Sequence, residues 1–191
     1  LLASTTVDVP RSASVVVPLQ AEGDGIPIFC LYGISIYQAF AESLGNPSLV
    51  VLDIAAVAEV AHAHGLPLVI DNTVPSPALC NPLAIGPHGA DIVVHSATKY
   101  LAGHGTTLGG VIVEGGKFPW DNGKFPGMTE PSTGYHGVKF YETFGDFGFT
   151  MRCRMESLRV YGAALSPMSA WLVLQGVETL PLRMERHSAN A

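Results

Sequence analysis

Short, nearly continuous apolar runs are the clearest pattern in the chain. Residues 66–71 (LPLVID) and 90–95 (ADIVVH) show no alternation of apolar and polar positions. Such runs are typical of strands that are buried on both faces of a parallel sheet. A third run, at 111–113, lies between glycine pairs. We therefore expect three strands at these positions.

Helical patterns alternate with these runs. The apolar residues 54, 57, 58 and 61 recur at helical spacing, Asp53 is placed to cap the first turn, and Gly65 follows as a stop. Ser166-Pro167 is a helix start, and the pattern of 178–190 is helical again. Alternating helices and buried strands predict an α/β fold, with a mainly parallel sheet flanked by helices.

Two stretches lack a clear period. Residues 116–148 are rich in Gly, Pro and aromatic residues. We interpret them as a long irregular excursion, of the kind that carries function or an interface, with regular structure returning at Arg152. Residues 1–38 mix Val, Ser and Pro, and within them 15–20 (VVVPLQ) and 26–37 (IPIFCLYGISIY) are candidate strands.

Composition narrows the classes of function. Ten Lys and Arg against 16 Asp and Glu give a net charge of −6, which argues against nucleic-acid binding because that requires a basic surface. Only 14% of the residues are charged and 48% are hydrophobic, so we expect a piece of a larger body or a homo-oligomer.

Three cysteines without a C-x-x-C pair favour a reducing cytoplasm as the location of the protein. The uncharged stretch 25–41 is too short and interrupted for a membrane span, and the first residues do not resemble a signal peptide.

Candidate chemistry lies directly after two of the predicted strands, where open α/β sheets bind their ligands. Ser96-Ala97-Thr98-Lys99 follows one strand, and Asp71-Asn72-Thr73 ends the other. A lysine flanked by hydroxyls suits a cofactor with an aldehyde and an anionic group, and a buried aspartate suits a protonated ring nitrogen. Pyridoxal phosphate has all three features.

Each of these residues also has an ordinary explanation when it is taken alone. Lys99 could be a solvated turn residue, and Asp71 could be a helix cap or a turn residue. Ser96 and Thr98 could simply cap the next turn. His62 and His64 are two residues apart, so they point in different directions on a helix; we expect surface histidines and no metal site. His104 either orients the lysine loop or packs it. The Gly-rich run 103–116 matches neither nucleotide-binding glycine motif.

Together the motifs resemble one family. Residues 91–105 (DIVVHSATKYLAGHG) look like the signature of the Cys/Met-metabolism family of pyridoxal-phosphate enzymes. Residues 42–47 (ESLGNP), 69–73 (VIDNT) and 180–190 (LPLRMERHSAN) are also similar to that family, and the resemblance covers the chain from about Ala39 onward. It implies the large cofactor-binding domain of a fold-type I, aspartate aminotransferase-like enzyme.

The resemblance also implies a role for individual residues. Lys99 would bind the cofactor's aldehyde covalently and later act as a base, and Asp71 would pair with the pyridinium nitrogen. Ser96 and Thr98 would bind the phosphate, and Asn46 would donate a hydrogen bond to the phenolic oxygen.

Three segments favour one activity within the family. Residues 103–110 (GHGTTLGG), 115–120 (GGKFPW) and 125–137 (FPGMTEPSTGYHG) are similar to O-acetylhomoserine sulfhydrylases. The resemblance therefore implies a transferase of methionine biosynthesis that uses an amino-acid substrate and sulfide and that assembles as a homo-oligomer, a tetramer in the family. A cystathionine or methionine γ-lyase, a cystathionine synthase-like enzyme and an inactive truncated product remain alternatives.

The domain organisation follows from the same resemblance. We expect an unmatched segment at 1–38, the central part of the cofactor-binding domain at 39–165, and a helical link toward a further domain at 166–191. The family's ring-stacking aromatic and its substrate-gripping arginine have no counterpart in this chain. We therefore expect the isolated chain to be inactive.

Overall fold

The computed structural model describes residues 15–19, 26–30 and 38–191. Two antiparallel strands come first, β1 (Val15–Leu19) and β2 (Ile26–Cys30). Both lie within the candidate strands of the N-terminal segment. The remainder of the second candidate, 31–37, lies outside the described residues.

A four-stranded sheet positions the rest of the chain. Its strands are β3 (Ala39–Glu42), β4 (Leu68–Asp71), β5 (Ile92–Ser96) and β6 (Gly110–Glu114). The spatial order is β3-β4-β5-β6; the first three strands run parallel and β6 runs antiparallel to β5. The three strands expected from apolar runs are confirmed, and so is the α/β class with a mainly parallel sheet.

The connection from β3 to β4 contains α1 (Ile54–Ala63). The Asp53 carboxylate caps this helix by accepting a hydrogen bond from the Ala56 amide at 3.0 Å. Gly65 follows with φ +59°, a conformation that glycine adopts without a Cβ penalty. Ala58 and Ala61 are buried, so small side chains let α1 lie close to the sheet. Both predicted helix boundaries are confirmed.

The two faces of the sheet are covered differently. Aliphatic residues of α1, the strands and the adjoining connections form one core, which contains Ala39, Ala41, Leu52, Ile54, Ala58, Ala61, Leu68, Ile70, Ala90 and Val93. On the other face, aromatic residues from the glycine-rich excursion pack against Val69 and Ile92. Trp120, Phe125 and Phe140 are almost completely buried there. The excursion 116–148 therefore supplies buried aromatic side chains to a second core, whereas many of its other residues are exposed.

Four short helices follow β4, one of them before β5 and three along or just after the excursion. They are α2 (Ser76–Leu79), α3 (Pro126–Thr129), α4 (Phe140–Phe144) and α5 (Gly148–Arg152). A wide helical turn at Cys153–Leu158 and then α6 (Arg159–Tyr161) follow α5 directly. The prediction that regular structure returns only at Arg152 is wrong. Short helices already occur at α3 and α4. The sequence pattern does not reveal them, because they are short and glycines at 145 and 148 interrupt the helical path.

Two longer helices end the chain, α7 (Pro167–Glu178) and α8 (Leu180–Asn190). The Ser166 hydroxyl caps α7 by accepting a hydrogen bond from the Ser169 amide at 3.1 Å, which confirms the predicted start. Buried Val173, Leu180 and Met184 pack against the segment that follows β5. None of the helices in the described part of the chain has both the length and the apolarity needed to cross a bilayer.

Candidate active site at the carboxyl ends of the strands

The predicted site residues lie along one edge of the sheet. Asp71 is the last residue of β4, and Ser96 is the last residue of β5. The two strands are parallel and Asp71 pairs with Val94, so both polar ends face the same edge. Thr98 and Lys99 belong to the turn that begins one residue after β5.

Side-chain hydrogen bonds tie the strand ends together. The Ser43 hydroxyl, just after β3, donates to Asn72 Oδ1 at 2.8 Å, and it lies 3.2 Å from the Asp71 carbonyl oxygen. Asn72 is fully buried and donates through Nδ2 to the Cys80 carbonyl at 2.8 Å. The Ser96 amide donates to Thr73 Oγ1 at 2.8 Å, which links β4 to β5. The edge is therefore a rigid frame, because buried polar groups there bond one another.

Asp71 keeps unused hydrogen-bonding capacity. Its Oδ1 accepts the Thr73 amide at 2.9 Å, and no described residue bonds its second carboxylate oxygen. Its side chain is half-buried. A carboxylate held in this way can accept a further hydrogen bond from a protonated ring nitrogen.

Lys99 lies in a wide helical turn, Ala97–Leu101, whose backbone leaves helical geometry at Lys99 itself (φ −88°, ψ −124°). Thr98 fixes one side of the turn, since its Oγ1 accepts the Gly109 amide at 3.0 Å and lies 3.4 Å from the Gly109 carbonyl. The Gly103 amide closes the turn on the Lys99 carbonyl at 2.8 Å. The predicted lysine is therefore presented on a well-anchored turn beside the ends of β4 and β5.

Among the predicted site residues, Asn46 has the weakest connection to the others in the structure. It lies in an exposed turn after β3, where its backbone amide donates to Glu42 Oε2 at 2.9 Å. No hydrogen bond in the described chain joins its side chain to Asp71, Ser96, Thr98 or Lys99. The turn is still at the carboxyl end of β3, on the same edge of the sheet.

Histidine positions differ from the sequence-based expectation. His62 is not a free surface residue, because its Nε2 lies 2.8 Å from Asp91 Oδ2 and its side chain is only 29% exposed. This pair lies at the amino end of β5, away from the lysine turn. His64 is exposed as expected. His104, close to the lysine turn, bonds the Ala102 carbonyl through Nδ1 at 2.7 Å, so it contributes to packing the loop.

Burial dominates the electrostatics of three other titratable groups. It lowers the pKa of His95 against the raising effects of the Asn72 backbone and the Asp71 charge. Burial first, and then the charge of Glu114, raises the pKa of Cys153 to about 11. Burial also raises the pKa of the Cys80 thiol. Neither described thiol is thus activated as a nucleophile near neutral pH.

The sequence alone assigned no role to several residues at this edge. Ser43, Asn72 and Thr73 hold the strand ends, and Arg183 reaches the lysine turn from α8. Asn72 and Thr73 directly follow Asp71, so their position at the strand end was a local signal for these two residues. Arg183 is 83 residues from its partner Tyr100, and no local pattern connects residues over that separation.

The groups at this edge fit pyridoxal phosphate. The cofactor needs an amine, a carboxylate with a free oxygen, and hydroxyl or amide donors for a phosphate. Lys99, Asp71 and the Ser96 hydroxyl, which no described residue bonds, offer this donor set on one rigid frame. The fold and this edge define the cofactor-binding domain of a pyridoxal-phosphate enzyme of fold-type I.

Comparison with known proteins identifies the family. The sequence profile of the Cys/Met metabolism PLP-dependent enzymes matches residues 36–191. The chain is 60% identical over 160 residues to the O-acetyl-L-homoserine sulfhydrylase of Leptospira meyeri, covering 80% of this chain and 36% of that protein. It is 52% identical over 155 residues to the homocysteine synthase of Schizosaccharomyces pombe, covering 80% and 35%. This chain belongs to the Cys/Met-metabolism family of PLP-dependent enzymes, and it spans about a third of the length of these relatives.

Solved structures agree with this family. A Campylobacter jejuni structure, described as an O-acetylhomoserine (thiol)-lyase with N'-pyridoxyl-lysine-5'-monophosphate, superposes with a TM-score of 0.73 at 39% identity, covering 80% of this chain and 37% of that one. A cystathionine γ-lyase from Lactobacillus plantarum in complex with L-serine gives a TM-score of 0.52 at 32% identity, covering 76% and 29%. The expected family, fold type and cofactor are confirmed.

Proposed function

We propose that this chain is part of a pyridoxal-phosphate transferase that converts O-acetylhomoserine and sulfide into homocysteine and acetate. The 60% identity to an O-acetyl-L-homoserine sulfhydrylase carries the proposal. In this reaction the bond from the γ carbon to the acetoxy oxygen breaks, a bond from that carbon to sulfur forms, and acetate takes the electron pair. The enzyme acts in methionine biosynthesis.

The proposal gives Lys99 two roles. Its Nζ binds the cofactor's aldehyde covalently, and once the substrate's amine has released it, Nζ removes the proton from the substrate's α carbon. When bound, pyridoxal phosphate supplies an electron sink for the negative charge that this step leaves on the α carbon. The anchoring of the turn by Thr98 and Gly103 supports these roles, because a base must stay within hydrogen-bonding reach of its proton.

The other proposed roles use the groups along the same edge. Asp71 accepts a hydrogen bond from the protonated ring nitrogen through its unbonded oxygen, which keeps that proton in place. Ser96 and Thr98 bind the phosphate; the Ser96 hydroxyl is unbonded, whereas the Thr98 hydroxyl already contacts Gly109 and binds from a fixed position. Asn46 donates to the phenolic oxygen from the turn after β3.

The proposed enzyme is a cytoplasmic homo-oligomer, with an amino-acid substrate and sulfide as its partners and without nucleic-acid or membrane partners. Exposed apolar side chains support further assembly, notably Leu108 at 79%, Trp171 at 53% and Leu174 at 60%. Residues 1–38 are an unmatched segment, 39–165 are the central part of the cofactor domain, and 166–191 link it to a further domain. The start of the family profile at residue 36 supports the first of these boundaries.

Product analysis on the complete protein tests the activity. With O-acetylhomoserine and sulfide we expect homocysteine and acetate in equal amounts. Release of ammonia and a keto acid would instead show a γ-lyase, a candidate that the likeness to the Lactobacillus plantarum enzyme favours. If added pyridoxal phosphate gave no visible absorption band from a lysine–cofactor bond, the complete protein would not be an enzyme of this type. We expect the isolated chain to bind the cofactor weakly and to turn over no substrate.

A further inference from the structure

Arg183 on α8 contacts the turn that carries Lys99. Its Nη2 donates to the Tyr100 carbonyl at 2.8 Å and to the Gly176 carbonyl at 2.8 Å. Its Nε donates to Thr179 Oγ1 at 3.1 Å. One guanidinium therefore joins the lysine turn to the end of α7 and the start of α8. Charge-assisted hydrogen bonds of this kind are stronger than neutral ones, and the planar fork fixes their directions.

Two glycines make this contact possible. A Cβ at Gly176 would overlap the carbonyl oxygen of Ala102, so only glycine lets α7 lie against the turn. Gly103 has φ +75°, and a Cβ there would stand 2.8 Å from Arg183 Cζ. The backbone of the lysine turn and the guanidinium thus approach each other more closely than any side chain allows.

Further contacts join α8 to the turn that carries Lys99. Buried Leu180 and Met184 pack against Ala97 and Leu101, on the apolar side of the turn. The His187 ring, one helical turn after Arg183, meets the Tyr100 ring edge-on with centroids 5.3 Å apart. The lysine turn is therefore held from one side by Thr98 and Gly109, and from the other by α8.

We propose that Arg183 is a positioning residue for Lys99, acting through the Tyr100 carbonyl. The inference rests on the proposed role of Lys99 in binding the cofactor. Tyr100 is the residue after Lys99, so the direction of its carbonyl constrains the backbone from which the Lys99 side chain extends. Arg183 bonds backbone and Thr179 only, and it fixes where Nζ can reach without itself touching the reacting atoms. Misplacement of a catalytic group by about 1 Å can cost about a hundredfold in rate.

The test compares three variants in the complete protein: Arg183→Gln, Arg183→Lys and the matched control Arg186→Gln. Arg186 is on the same helix and exposed, and it makes no hydrogen bond in the described structure, so its variant changes charge alone. Pyridoxal phosphate is added to each apo-protein, and the growth of the visible absorption band measures attachment to the lysine. Borohydride trapping with peptide mapping locates the bond. Circular dichroism checks the fold, and kcat and KM are measured separately.

We expect Arg183→Gln to slow attachment by about tenfold and to lower kcat by about tenfold to a hundredfold, with KM within about threefold. Arg183→Lys falls between this variant and the wild type, because an ammonium keeps the charge and can donate but lacks the planar fork that reaches all three acceptors. Arg186→Gln matches the wild type.

Two results would overturn the inference. One is an Arg183→Gln protein that is less stable but attaches the cofactor and turns over like the wild type, because Arg183 would then be merely structural. If Arg183→Gln does not fold, Arg183→Lys decides: slower attachment in a folded protein supports positioning, and wild-type attachment and kcat overturn it. If the wild type itself traps no cofactor at Lys99, the proposed function has failed instead, so the two failures are distinguishable.

Discussion

Two aspartates at opposite ends of the same pair of strands have contrasting surroundings. Asp71 ends β4 at the carboxyl edge, and Asp91 precedes β5 at the amino edge. Asp91 is 7% exposed, and its Oδ2 accepts hydrogen bonds from the Leu68 amide at 2.7 Å and from His62 Nε2 at 2.8 Å. Asp71 is half-buried and accepts one described hydrogen bond, on Oδ1 from Thr73. The protein therefore engages Asp91 twice through one oxygen in a buried setting, whereas Asp71 is more exposed and carries a single described hydrogen bond.

The same contrast extends to other polar groups at the two edges. At the amino edge, Lys124 Nζ donates to the His64 carbonyl, and Asn122 Nδ2 donates to the Gly65 carbonyl at 3.0 Å. These side chains fasten the segment around 122–124 to the end of α1. At the carboxyl edge, no described residue bonds the Ser96 hydroxyl. Because buried polar groups normally find partners within the protein, the unbonded Asp71 oxygen and the Ser96 hydroxyl are available to bind a ligand at this edge.

Removing the Lys99 amine from the carboxyl edge should have the largest effect on activity. Lys99→Ala should lower turnover by at least about a thousandfold, because the covalent attachment point and the base are lost together. The variant should still bind the cofactor, since Ser96, Thr98 and nearby amides bind a phosphate independently of Lys99. Activity, cofactor affinity and borohydride trapping measure these effects.

Lys139→Ala is the matched control, because Lys139 is exposed and pairs only with Glu142 at 2.9 Å. It should behave like the wild type, and the trapped cofactor should map to residues 95–101. Labelling at Lys117, Lys124 or Lys139 would contradict the assignment, as would a Lys99→Ala protein with a near-normal rate.

Changing Asp71 to Asn tests the available carboxylate directly. The amide retains an oxygen for the Thr73 amide but cannot stabilise a proton on a ring nitrogen. We expect turnover to fall by about a hundredfold, while the cofactor Kd rises by less than about tenfold. Asp53→Asn is the control, because asparagine caps helices as well as aspartate does. Equal turnover in Asp71→Asn and the wild type would refute the role of the Asp71 charge.

Much of the sheet could be predicted because its signals are local. Asp53 and Gly65 bound α1, and the apolar runs at 66–71 and 90–95 cover β4 and all but the last residue of β5. The aromatic core could not be predicted, because Trp120 and Phe140 become buried through long-range packing that leaves no period in the sequence. A buried segment without regular structure has the same sequence pattern as a surface loop. In this protein the irregular segment contributes aromatic side chains to a core.

Some residues of the candidate site also have local sequence signals, whereas others depend on long-range contacts. Asp71 and Ser96 end buried strands, and Thr98 and Lys99 follow one of them, so the general rule for open α/β sheets predicted this position together with the family motif. The residues that hold this edge in place act across the chain. Arg183 meets Tyr100 over 83 residues, and the separation of Ser43 from Asn72 is 29 residues. Pairing at such distances depends on the tertiary fold, which a single sequence does not display.

The amino edge should respond to mutation with a loss of stability instead of activity. Asp91→Asn replaces one acceptor oxygen by a donor, which leaves a buried group facing the Leu68 amide or His62 unsatisfied, at a cost of about 1–3 kcal/mol. We expect the thermal midpoint to fall by a few degrees and kcat to stay within about twofold of the wild type. Asp121→Asn, at an exposed position, should change neither. A large loss of kcat with unchanged stability would show that the two edges do not differ as proposed.

The smallest expected effect concerns His95, a buried histidine one residue before Ser96 whose Nδ1 has no hydrogen-bond partner in the described structure. Burial lowers its pKa in the folded protein, so below the unfolded value of about 6.5 the unfolded chain binds the proton more readily. Its contribution to stability is therefore complete above about pH 6.5 and is lost as the pH falls toward the folded pKa. His95→Asn should make thermal stability less dependent on pH between about 7 and 5, measured as the unfolding midpoint across that range. His136→Asn, at an exposed position with φ +53° that asparagine tolerates, should keep the wild-type dependence. An unchanged dependence in His95→Asn would mean that His95 titrates alike in the folded and unfolded chains, and that the carboxyl edge is wetter than its hydrogen-bonded frame indicates.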